Sequence, residues 1–398
     1  MRAGSSLSED SAESGGGLVV VCFYHSLVSD WNHGNAHFLR GVVTELLARG
    51  HTVRVLEPID GWSRSNLLSE VGPAAIEAFY HAYPGLTSTL YRLAGEGEDR
   101  LDRALDGADL VLVHEWTDPW VVQRIGEVRA TGGRFRLLFH DTHHRAVSDP
   151  EALRRFDLRH YDGVLAFGRV LRDLYLTRGW AARAWTWHEA ADIRVFLPPA
   201  IKTTRSGLAW IGNWGDGERG GELAEFLLAP IRDLALPATA YGVRYPPDAL
   251  AALSLAGVRY AGWLPNFRAP EVFSRHAVTV HVPRRPYVRS LPGIPTIRVF
   301  EALACGIPLV CAPWDDCEGL FLPGADYLTA RDGAEMRTHL TALIEDRAYA
   351  AALAAHGLAT IRARHTCAHR VDELLVIYHE LVGAAATVTG RPEWVAAE

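Results

Sequence analysis
Short apolar runs with the content of buried strands alternate with helix-length segments along most of the chain, and that alternation leaves few folds open. Residues 18–24, Leu-Val-Val-Val-Cys-Phe-Tyr, read as a buried strand. Residues 35–49 follow as an amphipathic helix with Phe38, Val42, Val43, Leu46 and Leu47 inward; Gly50 ends it, and 51–56 form the next strand. Further strands are expected at 110–113, 136–139, 163–167 and 183–187. Strands joined through helices pair in parallel, because the crossover returns the chain to the starting edge of the sheet. The first half is therefore an α/β unit with a parallel sheet, and ligands of such sheets bind beyond the carboxyl ends of the strands. Residues 62–105 look helical but weakly patterned.

A chain of 398 residues has room for two ordinary domains, each with its own core. The boundary falls at 191–199, where Pro198 and Pro199 stop regular structure, and a new strand begins at Leu208 after a polar stretch. The second half alternates again, with strands near 238–243, 258–263, 278–282 and 307–311. From Gly333 to about Ala385 it is mostly helical. No internal repeat stands out beyond this shared alternation.

Composition narrows the class. With 48% apolar and 22% charged residues the chain has the make-up of a globular protein, and a formal charge of −7 disfavours a dedicated nucleic-acid binder. Cys22, Cys305, Cys311, Cys317 and Cys367 form no CxxC pair, and most sit in apolar runs. Reduced thiols of a cytoplasmic protein fit better than a disulfide framework. No apolar run approaches the roughly 20 residues of a membrane span. Residues 1–17, rich in Ser, Gly and acidic side chains, are expected to be a flexible tail rather than a signal peptide.

The stretch from Pro292 to Val310 reads as a turn, a helix and a strand. Pro295 suits the first turn of the helix, Gly306 is placed to end it, and Ile307-Pro308-Leu309-Val310-Cys311 has the content of a buried strand. The helix is apolar almost all round except for Arg298 and Glu301, three apart and on one face near its N-terminus. Such charges either pair with each other or meet a ligand. The run Arg298-Val-Phe300-Glu301-Ala302-Leu-Ala304-Cys-Gly306-Ile-Pro308 resembles the nucleotide-sugar helix of GT-B glycosyltransferases. The resemblance is to the group-1 clan with its Glu-x7-Glu motif, and within it to the CgeB-like, spore-maturation-type branch. It implies that Glu301 is the second Glu of the motif and hydrogen-bonds the donor ribose, with Gly293, Ile294, Pro295 and Thr296 beside the donor. The first Glu would fall on Gly293 and is missing.

Four loops at expected strand ends hold polar or glycine-rich residues. Gly34 and Asn35 stand at the start of the first helix, where backbone N–H groups can meet a phosphate or an acceptor hydroxyl, with an ordinary N-cap role for Asn35 as the alternative. The spacing Gly-x-Gly-x-x-Gly is absent from this loop, which disfavours a dinucleotide-binding dehydrogenase. Phe139-His140-Asp141-Thr142-His143-His144 follows another strand. The clan has a histidine facing the donor sugar here, so the resemblance points to His140, with Asp141 orienting it or acting as a base. A metal site is the competing reading of this cluster, without a clear four-ligand spacing. Structural hydrogen bonding is the third reading. Ile211-Gly212-Asn213 resembles the position beside the diphosphate, where Asn213 could donate; a plain glycine-rich turn is the alternative. Arg284, Arg285 and Arg289 precede the central helix and could cradle a diphosphate, although the sequence leaves open which points inward. No Asp-x-Asp motif is present to bring a divalent ion.

The expected fold is GT-B, with two Rossmann-like parallel-sheet domains facing a cleft. The expected layout is a tail (1–17), an acceptor domain (18–197), a nucleotide-sugar domain (198–375) and a C-terminal helix and tail (376–398) that returns to the first domain. Residues 62–105 would be an acceptor-specific insertion. The expected activity is transfer of a sugar, hexosyl by resemblance, from a nucleotide-diphosphate sugar such as a UDP-sugar to an acceptor hydroxyl, with retention, without metal or other cofactor. Partners would be the nucleotide sugar and an acceptor, with no nucleic acid. Contact with a membrane would be peripheral at most. A nucleotide-sugar isomerase or hydrolase of the same fold, or a non-catalytic partner with a degenerate donor site, are the rivals.

Overall fold
A computed structural model describes residues 16–92, 97–200, 204–215 and 217–389, without the side chains of 97–100 and 385–389. Most of the expected N-terminal tail, and the last residues of the C-terminal one, lie outside the described residues. Two sheets account for the strands among these residues, and every pairing in both is parallel. The first holds β1 (Val19–Phe23), β2 (Thr52–Pro58), β3 (Thr89–Tyr91), β4 (Leu110–His114), β5 (Arg136–Asp141), β6 (Gly163–Ala166) and β7 (Ala184–Thr186), in the order β3-β2-β1-β4-β5-β6-β7. The second holds β8 (Leu208–Ile211), β9 (Ala238–Tyr241), β10 (Val258–Tyr260), β11 (Val278–His281), β12 (Leu309–Cys311) and β13 (Leu328–Thr329), in the order β10-β9-β8-β11-β12-β13. In each sheet the strand order reverses beside the first strand, β1 or β8. The loops leaving that strand and its neighbour splay apart there and open a crevice.

Helix α1 (Ala36–Ala48) buries Phe38, Leu39, Val42, Val43 and Leu46. Leu47, expected inward, is 37% exposed, whereas Arg40 is fully buried. Its guanidinium donates to the carbonyls of Leu27 and Val28 and to Asp30, and so fixes the loop that follows β1. Residues 62–105 are not helical throughout. They form α2 (Trp62–Glu70), a second short helix at Ala74–Ala82, the edge strand β3 and a helix at Gly97–Leu105.

Helices α3 (Arg285–Arg289) and α4 (Ile297–Ala304) lie between β11 and β12. Thr296, not Pro295, borders α4: it is the extended N-cap, and Pro295 stands one residue outside the helix. At the other end Gly306 adopts φ +59, its N–H donates to Leu303 O and the N–H of Ile307 to Ala302 O. That pair of bonds is a Schellman motif, which satisfies the last carbonyls and turns the chain into β12. The chain crosses back earlier than residue 376. Helix α5 (Cys367–Thr389) packs on α1, and Thr366 bridges Ala191 at the end of the first domain. Val371, Leu374, Ile377 and Leu381 of α5 join Phe38 and Val42 of α1 and Phe300 and Leu303 of α4 in one apolar core shared by both halves. Among the described residues no helix is long and apolar enough to cross a membrane. Cys317 is exposed, and Cys22, Cys305, Cys311 and Cys367 are buried free thiols.

Candidate functional site
The carboxyl ends of the two sheets face each other across a cleft of about 570 Å³. Its lining comes from segments after β1, β2, β4, β5, β6 and β7 on one side and from β8, β11 and the segments after β8, β9 and β11 on the other, around the two reversal points.

The second-domain wall is cationic. Arg219, Arg284 and Arg298 all border the cleft. Arg219 is 8% exposed, donates to the carbonyls of Val282 and Asn213, and leaves its Nε without a partner. Burial first, then the charge of Arg284, lowers its pKa to about 9. Among the described residues no carboxylate oxygen pairs with Arg219, and a buried cation so placed is costly unless an anion completes it. The diphosphate contact expected from the sequence is Asn213; Arg219, which follows that loop, was passed over, and Asp216 between them lies outside the described residues. Among the loop arginines the structure settles which one points inward. Arg284 borders the cleft and reaches Glu218 at 2.8 Å, Arg285 turns away to Glu222 at 2.6 Å, and Arg289 is exposed on α3 away from the lining.

Asn213 spans the cleft. Its Nδ2 donates to Asn32 Oδ1 at 2.6 Å and its Oδ1 accepts from the Val243 N–H at 3.0 Å. Thr296 borders the cleft and its hydroxyl bonds His281 Nε2 at 3.0 Å. Gly293 adopts φ +86 and donates its N–H to Asp315 O, Ile294 is buried against the first domain, and Pro295 beside it is buried. Those three are not part of the lining.

Glu301 is fully buried one turn below Arg298. Asn266 Nδ2 donates to its Oε1 at 2.7 Å, Arg298 pairs with its Oε2, and His37 Nδ1 lies 3.1 Å from Oε1. His37 Nε2 accepts the N–H of Asp192, so the ring proton sits on Nδ1 and is donated to Glu301. His37 also stacks on Phe196 at 3.7 Å. Burial alone would raise the carboxyl; the charge of Arg298 and the bonds from His37 and Asn266 outweigh it and hold it below its ordinary value. Glu301 thus ties α4 to α1 of the opposite domain and steadies Arg298.

The first-domain wall is built differently from the sequence expectation. His140 does not reach the cleft. β5 runs on to Asp141, two residues past the expected end, so His140 is still a strand residue, paired with Leu165. Its ring is fully buried among Phe38, His114 and Trp187, with neither nitrogen hydrogen-bonded, and burial lowers its pKa to about 3. Asp141 points to the other face of the sheet, accepts from Tyr175 at 2.7 Å and from the His143 N–H at 3.0 Å, and is likewise fully buried. Beside it Glu115 accepts from Thr142 and Arg145, and burial, then Asp141, raises its pKa to about 8. These groups brace the loop that places Thr142, His143 and His144 in the cleft.

His144 faces Glu218 of the second domain at 3.5 Å. Burial lowers His143 and His33 well below the usual imidazole range and keeps both neutral. Asn35 is the N-cap of α1, but its side chain makes no capping bond; it donates instead to Thr142 Oγ1 at 2.9 Å. Gly34 sits so close to α4 that a Cβ there would lie 2.9 Å from Ile297 Cγ2. Glu189, also missed by the sequence reading, lines the cleft and accepts the N–H of Ile297 at the start of α4. Burial, then Glu301, raises its pKa to about 8. Among the described residues no three His, Cys, Asp or Glu side chains come together so as to hold a metal ion, and the metal reading of the histidine loop finds no geometry.

Residues 219–376 match the model of the family described as "Glycosyl transferase-like". No curated protein sequence matches the chain. Similar solved structures include a sucrose-phosphate synthase from Thermosynechococcus elongatus, 15% identical over 92% of this chain and 100% of that one, with a TM-score of 0.63. An alpha-glucosyltransferase (AGT) solved with UDP is 12% identical over 91% and 100%, with a TM-score of 0.66. Anabaena Alr3699/HepE, solved with UDP and glucose, is 13% identical over 94% and 99%, with a TM-score of 0.65. The chain has the GT-B fold, and its second domain carries a glycosyl transferase-like region at residues 219–376.

Proposed function
We propose that the protein is a glycosyltransferase that moves a sugar from a nucleoside-diphosphate donor to an acceptor hydroxyl without a metal. The observation that carries this reading is the buried guanidinium of Arg219, whose Nε has no partner among the described residues, flanked in the cleft by Arg284 and Arg298. Arginines match phosphate oxygens in pairs, and a fixed cationic wall stabilises the negative charge that develops on a departing diphosphate. The N-terminus of α4 faces the same space and adds its dipole. Similar structures were solved with UDP, which supports a nucleotide on this wall.

In this reading the ribose role of Glu301 becomes a positioning role, because its oxygens are already taken by His37, Asn266 and Arg298. His33, His143, His144 and Glu189, not His140 and Asp141, are the titratable groups of the first domain that line the cleft, and of these His143 and Glu189 are the candidates for proton exchange. Retention and a hexosyl donor follow the clan resemblance, and the anomeric proton signal of the product tests the first.

A thermal-shift screen of nucleoside diphosphates and their sugars is the deciding experiment. At least one should stabilise the protein, and Arg219→Ala should weaken that binding about ten- to a hundredfold, the loss of a charged hydrogen bond. Absence of any shift in the wild type sinks the reading. Release of free sugar from the donor as the sole reaction would favour a hydrolase. Transfer should persist in a chelator; its loss, restored by magnesium or manganese, defeats the metal-free part.

A further inference from the structure
The two walls of the cleft differ in chemistry. Opposite the three arginines stand the indoles of Trp62 and Trp116 with the His33 ring between them, at 5.9 and 5.8 Å. Trp62 is 50% and Trp116 37% exposed, whereas Trp31 behind them is 3% and Trp210 across the cleft 2% exposed. A guanidinium lies over each exposed indole, Arg145 4.2 Å over Trp116 from outside the lining and Arg244 of the second domain 5.6 Å over Trp62, and Arg145 is itself ion-paired with Glu115 at 2.7 Å. The polar groups of this wall are Asn32, Asn35, Thr142 and the neutral imidazoles of His33 and His143; at its edge stand His144, which faces Glu218, and Glu189, whose carboxyl pKa burial raises to about 8. His143 Nδ1 has no hydrogen-bond partner among the described residues.

We infer that this wall is the acceptor subsite and that the acceptor is an uncharged saccharide. The inference rests on the glycosyltransferase reading and names its second substrate. A pyranose carries a C–H face that packs on an exposed indole and a rim of hydroxyls that both donate and accept. Trp62 and Trp116 supply the apolar surface, and the neutral imidazoles and amides supply donors and acceptors for the rim. A phosphorylated or carboxylated acceptor, or a nucleic acid, calls for cations on this side. Here Arg145 is spent on Glu115 and Arg244 lies over the Trp62 ring, while Arg219, Arg284 and Arg298 stand on the opposite wall. A lipid chain calls for an aliphatic groove, and the exposed apolar surface of this wall is aromatic.

The test uses saturation-transfer NMR on the full chain with UDP present. The probes are the methyl pyranosides of glucose, galactose, mannose and rhamnose, together with maltose, cellobiose, lactose and glucuronic acid. At least one neutral sugar should receive saturation through its ring C–H protons, and glucuronic acid should not. Trp62→Ala and Trp116→Ala should each weaken that binding at least tenfold. Trp120→Ala, 38% exposed but outside the cleft, should leave it unchanged, and the UDP thermal shift should be the same in all three. Failure of every neutral sugar, preference for glucuronic acid, or wild-type sugar binding in both cleft variants overturns the inference. Loss of the nucleotide shift in the wild type strikes instead at the donor reading, so the two failures are separable.

Discussion

At the residue scale, the histidine loop shows how two residues of strand length decide a role. The sequence places a histidine in the right neighbourhood, but the side-chain alternation of a strand sends His140 into the core beside α1, and the loop begins only at Thr142. His143→Ala should therefore cut transfer by about a hundred- to ten-thousandfold if it exchanges a proton at the acceptor, with nucleotide affinity held. His140→Ala should leave a cavity between Phe38 and Trp187 and act mainly on melting temperature. The reverse pattern, a silent His143→Ala beside an inactive but stable His140→Ala, would restore the sequence reading. Glu189 gives a second test. Its carboxyl, held near 8 when folded, ionises at about 4.5 when unfolded, so the folded state binds the extra proton between those values. Its contribution is complete below about pH 4.5 and is lost as pH rises to about 8. Melting temperature of Glu189→Gln measured at pH 5.5 and 8.5 should fall less between the two than that of the wild type. Parallel falls would show that Glu189 is ionised throughout.

At the element scale, strong periodicity made β1, α1, β4 and β5 legible, whereas β3 and β13 were missed. Those two are sheet edges of three and two residues, too short to show alternation and stabilised by pairing rather than by their own pattern. The donor helix was legible at its end and not at its start, since a proline is compatible with a first turn or with the extended residues before a cap. The glycine that replaces the expected first glutamate is explained by its backbone. Gly293 sits at φ +86, and a Cβ there would lie 2.8 Å from both Cys317 Sγ and Glu318 Cγ. Glu318 in turn holds the first domain through the N–H of Arg169 and through His188 at 3.0 Å. Restoring the motif by Gly293→Glu should consequently lower stability by about 1–3 kcal/mol and leave donor affinity no better. Differential scanning calorimetry with a nucleotide titration reads both quantities. A gain in affinity without loss of stability would mean that this loop can rebuild the family's sugar contact.

At the scale of the whole molecule, two sheets of like topology were legible from the alternation, because each strand–helix–strand unit has essentially one handed way to close. The partition of the cleft into a cationic and a neutral wall was not, since it depends on which loops of separate sheets meet, and Arg219 gains its meaning only opposite Asn32 and His33. The same long-range dependence governs stability. The returning chain is held at Ala191 by reciprocal backbone bonds with His365 and Cys367, and the Trp187 indole donates to the carbonyl of Arg370 at 2.8 Å. Cys367, Val371, Leu374, Ile377 and Leu381 then cover α1 and β5 as part of the first domain's core. Burying side chains of this size contributes about 1.5–3 kcal/mol each, so the set approaches the roughly 5–15 kcal/mol that holds an ordinary domain together. A chain ended at His365 should therefore fail as a whole, although every residue of the cleft lining is retained. It should bind a hydrophobic dye, lose its cooperative thermal transition and respond to no nucleoside diphosphate. Adding residues 366–389 in trans as a peptide should restore part of the transition, with a concentration dependence set by mass action. A truncated chain that melts as sharply as the wild type, and within a few degrees of it, would show that the second sheet and α1 suffice and that α5 is an appendage.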